Sequence, residues 1–504
     1  MEGTGRLVLL AAVALQPFVG FAATNRSQLT QTGRLALYGL GAVAVTIGCY
    51  ALVRRIWRRS DPDALALAVA ACVVSFSHYS LVFSSNPPSG AAQVGSLVAW
   101  LIVTIAVARG MFLVGSNATV QFAVLTFAVV ALLMQGIGFA EAAPRADPHF
   151  AAEDRPARPA RPARPAAEGQ PNVYWMVLDS HDRPDVMQDV VGYDLAPFVG
   201  ALEDTGFEVS RSSRASYPRT VLSLASTLDM RYVLEPGHEV EDDYAAFGPV
   251  VVGRNETVRQ FHALGYRTLY GEVGGLEWSS CREEVVDACL PVRRPWPATG
   301  ELEAALLNLT PLGMIDLPVP YSDPQTLVDG TRDLVGDGGP PFFAFVHVLA
   351  PHFPYRYRDD CSPRGAPAAR DEESREEQVE NYSTQVRCID ALALQAVDTI
   401  VEHDPSAIVI LQSDHGSDID FDWSEAPQDW TPEQVTERYS AFNAMRLPDR
   451  CDGAVEGAAL VNTSRIVLAC VEGREPDLLE YRAFGQPLND VTALVELTPE
   501  QLSG

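Results

Sequence analysis

The sequence predicts an N-terminal bundle of five transmembrane helices followed by an α/β ectodomain with a mostly parallel central sheet flanked by helices. Three observations carry this expectation. Residues 1–140 contain long uncharged apolar stretches, a Pro/Ala/Arg repeat follows, and beyond Pro171 short apolar runs alternate with helical ones. Charge divides the chain at the same place. Of the formal net charge of −28 on 504 residues, residues 1–140 contribute eight Arg against only Glu2, Asp61 and Asp63. Nearly all the acidity therefore lies in the second part, so the two parts are built for different solvents.

Five stretches, Leu7 to Ala23, Leu35 to Val53, Ala64 to Phe83, Ala91 to Ala108 and Ala118 to Ala140, approach the ~20 residues a helix needs to cross a bilayer. They have almost none of the polar stripe that a helix of a soluble bundle keeps. The first reads as a retained helix rather than a cleaved leader, because the chain returns at once to apolar spans. The loop Arg54-Arg55-Ile56-Trp57-Arg58-Arg59 holds half of the basic residues of this part and is expected on the cytoplasmic side. Arg109 then also faces the cytoplasm and everything after Ala140 lies outside, a multi-pass plasma-membrane protein with an extracytoplasmic domain. Arg26 and Arg34 fall on the opposite side from this bias.

Residues 141–170 include Arg155-Pro156-Ala157-Arg158-Pro159-Ala160-Arg161-Pro162, a repeat that can bury nothing and whose prolines favour an extended, solvated spacer. In residues 171–504, strands are expected at Asn172 to Leu178, Phe342 to Leu349 and Ala407 to Gln412. Helices are expected at Pro197 to Thr205, Thr220 to Met230, Glu256 to Leu264 and Gln378 to Glu402. Such alternation argues for a largely parallel sheet. The run Glu437 to Ala444 reads as one further strand, without chemistry. Six of the eight Cys fall in this part, an even number that fits an oxidising compartment. Sequential pairing, Cys281 with Cys289, Cys361 with Cys388 and Cys451 with Cys470, is expected from among 15 connectivities. No Cys-x-x-Cys supports a zinc cluster instead.

Composition also excludes chemistry. All 37 basic residues are Arg, so a pyridoxal Schiff base, a P-loop lysine, a kinase lysine and a Ser-x-x-Lys acylase are ruled out. The acidity argues against nucleic acid as a partner.

Two strand ends carry candidate chemistry. The first strand runs into Asp179 and the later one into Ser413-Asp414-His415-Gly416; in a parallel sheet both carboxyl ends face the binding crevice. Two carboxylates and an imidazole suit a divalent cation, although a single Asp at a strand end is more often a turn or cap residue. Between them, Ser216-Tyr217-Pro218-Arg219-Thr220-Val221-Leu222-Ser223 places a hydroxyl where a helix begins. It reads either as a cap or, if a cation also touches it, as a nucleophile.

With those residues in hand, the ectodomain resembles the alkaline phosphatase superfamily, in particular its sulfatase-like branch, which includes lipoteichoic acid synthases and phosphoethanolamine transferases. Asn172 to Asp179, Pro218 to Met230, Pro351-His352-Phe353-Pro354 and Ser413-Asp414-His415-Gly416 occur in the family's order. The resemblance implies an alkaline phosphatase/sulfatase-like fold, metal ligation by Asp179, Thr220, Asp414 and His415, and Thr220 in the nucleophile's place. It also implies His352 facing the substrate phosphate as leaving-group acid or charge stabiliser. His347 and Arg219 are candidate substrate contacts, His347 reading equally well as a core histidine and Arg219 as a surface charge. His181 and Asp182 adjoin the site and read equally well as a cap of the next helix. Sulfatases oxidise a Cys or Ser to formylglycine; here Thr220 cannot give that aldehyde, and Leu222 and Leu224 replace the family's Pro and Arg. Phosphoryl-type transfer is thereby favoured over sulfate ester hydrolysis. No His follows His415, which fits one divalent ion, Mn, Zn or Mg, rather than two. The expected partners are a membrane lipid donor and an envelope glycan, glycolipid or water as acceptor. The expected reaction is transfer of a phosphoglycerol- or phosphoethanolamine-type head group through a phosphothreonine intermediate; the alternatives are a hydrolase of the same superfamily (phosphodiesterase, phosphatase or sulfatase) using water as acceptor, and a non-catalytic envelope binding protein.

Overall fold

The computed structural model describes residues 3–25, 29, 32–82, 91–141, 166–167, 169–238, 240, 243–271, 279, 281–290, 301–314, 324–335, 339–364, 373–451, 455–487 and 493–503. Most of the expected Pro/Ala/Arg spacer lies outside the described residues. The chain forms two compact units, Met1–Pro144 with Pro297–Val319, and Arg145–Trp296 with Pro320–Gly504. A segment from within the expected ectodomain range thus groups with the N-terminal helices.

In the first unit, four described helices are long and apolar enough to cross a membrane: Gly3–Thr24, Thr32–Ile56, Val94–Val114 within Ala91–Val114, and Ala118–Ala140 within Ala118–Glu141. The third expected span is different. Its helix, Pro62–Ser77, has 16 residues, about 24 Å at 1.5 Å per residue. It stops at His78, where the Ser77 hydroxyl donates to Val73 O and the His78 ring meets Val74 O, both occupying the carbonyls of the last turn. A single turn, Tyr79–Val82, follows. At the other end Asp61 caps this helix, accepting from the backbone N–H of Asp63 at 2.7 Å, and Arg6 pairs with Asp63 at 3.4 Å. Ser75 and Thr104 bond each other between helices at 2.5 Å, the kind of polar contact that joins helices where lipid tails offer no hydrophobic drive. The inserted segment supplies helix Glu301–Asn308 and the turn Pro311–Met314. Arg34 and Tyr38 at the start of the second helix both bond Glu303, and Ser80 N–H donates to Leu309 O at 3.4 Å.

The second unit is built on a seven-stranded sheet. Its strands are β1 Val173–Leu178, β2 Glu208–Val209, β3 Arg267–Gly271, β4 Ala288–Leu290, β5 Phe342–Val348, β6 Ile408–Gln412 and β7 Asn443–Arg446, in the order β2-β7-β6-β1-β5-β3-β4. The pairs β1/β5, β1/β6, β3/β4 and β3/β5 are parallel; β7 runs antiparallel to β6 and to β2. A small antiparallel pair, β8 Phe484–Gly485 and β9 Val495–Glu496, lies apart. β1 is buried along its whole length, as an uninterrupted apolar run demands of a central parallel strand. Its period of two divides the cores: Val173, Trp175 and Val177 enter one, Tyr174, Met176 and Leu178 the other. Helices Ala196–Asp204, Thr220–Asp229, Glu256–Ala263 and Arg375–His403 form at the expected places, the last opened by a capping box of Ser374 and Glu377.

One expected element is corrected. Residues 437–444 are not a single strand: Pro432–Tyr439 is a helix and the strand begins only at Asn443. The signal was present, because Thr431 and Gln434 make a capping box with Pro432 at the first helical position. The three described disulfides, Cys281–Cys289, Cys361–Cys388 and Cys451–Cys470, pair sequentially as expected.

Candidate active site

The neighbours β1 and β6 end side by side, with Val177 opposite Gln412, so the residues that follow them meet at one rim of the sheet. Asp179, Asp414 and His415 are all buried, and their ligand atoms lie within 4.8 Å of one another. His415 Nε2 is 3.0 Å from Asp414 Oδ2 and 3.8 Å from Asp179 Oδ1. The other ring nitrogen, Nδ1, meets Gly416 O at 3.0 Å; a carbonyl only accepts, so Nδ1 carries the proton and Nε2 presents its lone pair to the cluster.

Helix Thr220–Asp229 brings the hydroxyl. Thr220 opens this helix, and its Oγ1 lies 3.0 Å from His415 Nε2. Arg219, not Thr220, occupies the cap position. The helix is locked to the strand end by Ser223, whose Oγ donates to Asp414 O at 2.6 Å, and by Val221, Leu222, Leu224, Ala225 and Leu228 buried in the core with β1. Thus 195 positions of sequence separation close into a hydrogen-bonded contact.

The polar accounting at this rim is incomplete. Asp179 Oδ1 and Asp414 Oδ2 are buried without a hydrogen-bond donor, which costs several kcal/mol per ionised group unless a positive partner is present. The remaining oxygens are used: Asp414 Oδ1 accepts from Ser180 N–H at 3.1 Å, and Asp179 Oδ2 lies 2.9 Å from His347 Nε2. Two unpartnered carboxylate oxygens, an imidazole lone pair and a hydroxyl fit a divalent cation. Burial works against the charge on Asp414, but the charge carried by His347 and the Ser180 N–H at 3.1 Å hold its carboxyl below the usual range. Burial likewise disfavours a charged His347, yet its bond to Asp179 raises it above the ordinary imidazole value.

The other expected residues divide. His352 is near, its ring centroid 6.3 Å from that of His415. His347, on β5 opposite Val177, is buried and orients Asp179. Arg219 is turned aside: it pairs with Asp243 at 2.9 Å and stacks 5.4 Å from the Tyr244 ring. His181 is buried against Asp390 at 2.9 Å.

Arg438 was missed, because its segment reads as a strand. It is buried beneath the cluster, donating to Pro218 O at 2.8 Å, Gly416 O at 2.9 Å and His415 Nε2 at 3.2 Å, with Trp423 stacked at 5.0 Å. Its neighbour Glu437 accepts from the Ser417 hydroxyl at 2.9 Å and from the N–H groups of Ile419 and Asp420. Asp182 accepts from Ser417 N–H at 2.6 Å and from the Tyr382 hydroxyl at 3.2 Å. Burial pushes Asp182 up to about 6 and, reinforced by the Asp182 charge, Glu437 up to about 8. These two helix and loop carboxylates hold the 416–420 turn from below.

The central strand ends of this parallel sheet thus gather two carboxylates, an imidazole and a helix-borne hydroxyl, a donor set of the kind that can hold a divalent cation. The sequence profile of the sulfatase family matches residues 171–437, and the chain belongs to that family, within the alkaline phosphatase superfamily. No curated protein shows significant similarity along its sequence. Among solved structures, the chain is similar to the periplasmic domain of EcEptC from Escherichia coli in complex with Zn, at 14% identity and TM-score 0.43, covering 66% of this chain and 96% of that one. It is similar to the lipoteichoic acid synthase LtaP from Listeria monocytogenes, at 11% identity and TM-score 0.42, covering 61% and 73%. It is also similar to the phosphonate monoester hydrolase SpPMH from Silicibacter pomeroyi, at 12% identity and TM-score 0.43, covering 64% and 81%.

Proposed function

We propose that this sulfatase-family enzyme is a membrane-anchored, metal-dependent transferase. It moves a phosphoryl-linked head group, of the phosphoglycerol or phosphoethanolamine type, from a lipid donor to an envelope acceptor. The observation that carries the reading is the Thr220 hydroxyl resting on His415 Nε2 beside two buried, unpartnered carboxylate oxygens. Five membrane segments, counting the short Pro62–Ser77, a spacer over 141–170 and a catalytic domain in 171–504 complete the organisation. The three disulfides and the Arg-rich loop Arg54–Arg59 support an extracytoplasmic catalytic domain.

Asp179, Asp414, His415 and Thr220 would hold one divalent cation. When bound, it would lower the pKa of the hydroxyl and offset charge on the phosphoryl oxygens. The residues do the rest. With its hydroxyl proton released to solvent beforehand, Thr220 acts as the alkoxide and is regenerated as such: Oγ forms a bond to phosphorus as the bond to the lipid oxygen breaks, and the electron pair leaves on that oxygen. His352 delivers the proton that makes it a neutral alcohol. The acceptor hydroxyl then attacks the phosphothreonine, giving its proton to His352, and Thr220 is released. His347 keeps Asp179 oriented throughout. Threonine gives no formylglycine aldehyde, which sets this chemistry apart from sulfate ester hydrolysis.

Thr220→Ala in the full-length protein should abolish turnover and any covalent phosphoenzyme; full activity in the variant would sink the proposal. Supplying labelled phosphatidylglycerol or phosphatidylethanolamine with and without an acceptor glycan separates transfer from hydrolysis by the same site, since only transfer yields a labelled glycan.

A further inference from the structure

The N-terminal unit contains a half-open cavity of about 940 Å³, at the upper end of the range of small-molecule sites. Four helices wall it with side chains that include Phe18, Val45, Ala68 and Trp100, and Leu306 and Leu309 of the inserted segment also line it. Arg109 is the one charged residue among its lining. Arg109 makes no hydrogen bond or ion pair with any described residue.

Arg109 is exposed and lies five residues before the end of its helix at Val114, where a long basic side chain reaches the headgroup level and meets lipid phosphates. The acids nearest its end of the bundle are committed elsewhere: Asp63 to Arg6 and Asp61 to the helix cap. Arg54 is spent on the carbonyls of Arg58 and Ser60. The surplus charge there is positive, with Arg55, Arg58 and Arg59 in the adjoining loop, so the missing partner is an anion. The rest of the cavity is apolar and bounded by helices whose outer faces are exposed Leu, Val and Phe, where the surrounding solvent is hydrocarbon rather than water. An anion joined to an apolar tail satisfies both halves.

We propose that the membrane unit holds one anionic phospholipid, its phosphate on Arg109 and an acyl chain along the cavity toward Leu306 and Leu309. This lipid is not the donor. Arg109 is close to Val114, and the next helix, Ala118–Glu141, carries the chain away from that end before it continues to the catalytic unit. A phosphate at Arg109 is therefore at the far face of the bundle from that exit. The proposal stands on the membrane unit alone and is independent of the Thr220 chemistry.

The test is native mass spectrometry of the full-length protein in detergent, after exposure to phosphatidylglycerol or phosphatidylcholine. Wild type should retain one phosphatidylglycerol per chain, at least tenfold over phosphatidylcholine. Arg109→Gln should erase that preference, and Ala68→Trp, which fills the cavity, should lose both lipids. No retained lipid, equal retention of the two by wild type, or unchanged preference in Arg109→Gln would overturn the idea. Should Ala68→Trp not fold, Cys49 and Cys72, which also line the cavity, replace it. Phosphatidylglycerol should slow their maleimide labelling severalfold, and an unchanged rate would count against the proposal.

Discussion

Arg438→Met removes the buried guanidinium that binds the backbone before Thr220 to the Asp414–Gly416 strand end, while keeping a similar volume. Arg438 donates to Pro218 O and Gly416 O and stacks on Trp423. Pro218 O loses its donor, at a cost of about 1–3 kcal/mol, whereas Gly416 O keeps the Ser180 hydroxyl and the His415 Nδ1–H; the lost cation–π contact adds about 0.5–2 kcal/mol. A destabilisation of roughly 2–4 kcal/mol is expected, a large share of the ~5–15 kcal/mol that holds a domain folded. With about 2–4 °C per kcal/mol for a domain of 150–250 residues, and less for a larger one, Tm should fall by about 4–12 °C. Turnover at a temperature where the variant is still folded should fall as well, because Pro218 and Gly416 flank Thr220 and His415 and lose their common tie. Arg438→Lys keeps the charge but presents a single ammonium instead of a planar fork, and should recover only part of the loss. Thermal unfolding followed by circular dichroism, with activity measured well below Tm, checks both. A Met variant with the wild-type Tm and wild-type turnover would show that the three bonds do not carry the arrangement.

Asp414→Asn replaces the unpartnered carboxylate oxygen with a neutral amide, so elemental analysis of the purified full-length protein should show metal falling from about one per chain to a small fraction of that. Retained stoichiometric metal would remove Asp414 from the ligand set. Glu437 bears on pH: its folded pKa is raised to about 8 by burial, so its contribution to stability is complete below about pH 4 and is lost as pH rises through 8. Glu437→Gln keeps an acceptor for Ser417 and the 419–420 amides but cannot ionise; relative to wild type it should gain a few kcal/mol between pH 6 and 9 in denaturant titrations. A difference independent of pH would refute the assignment. Cys388→Ser opens a disulfide with sequence separation 27, and loop entropy of that size is worth about 3–4 kcal/mol. Matching denaturation midpoints with and without the bond would contradict this.

Much of this protein was legible along the chain, and the reason is periodicity. Apolar runs without a polar stripe announce membrane helices, the unbroken apolar run Val173–Leu178 announces a buried parallel strand, and the carboxyl ends of such strands must converge. Asp179, Asp414 and His415 followed from that rule, and Thr220 from a helix start between them. The shortness of the helix Pro62–Ser77 did not follow, because hydropathy does not register that Ser77 and His78 take up the carbonyls of the last turn. Neither did the inserted helix Glu301–Asn308, whose grouping with the N-terminal bundle rests on Arg34, Tyr38 and Ser80, more than 200 positions earlier.

What the linear order of residues settled by itself was which segments bury themselves, and in which solvent, since burial is written in local patterns of apolar side chains. What three dimensions alone decided was the pairing of distant polar atoms. Arg438 sits under the cluster, Arg219 is turned onto Asp243, and two carboxylate oxygens are left without donors. A hydrogen bond depends on direction and on a few tenths of an ångström, and neither is encoded in the spacing of residues along a chain.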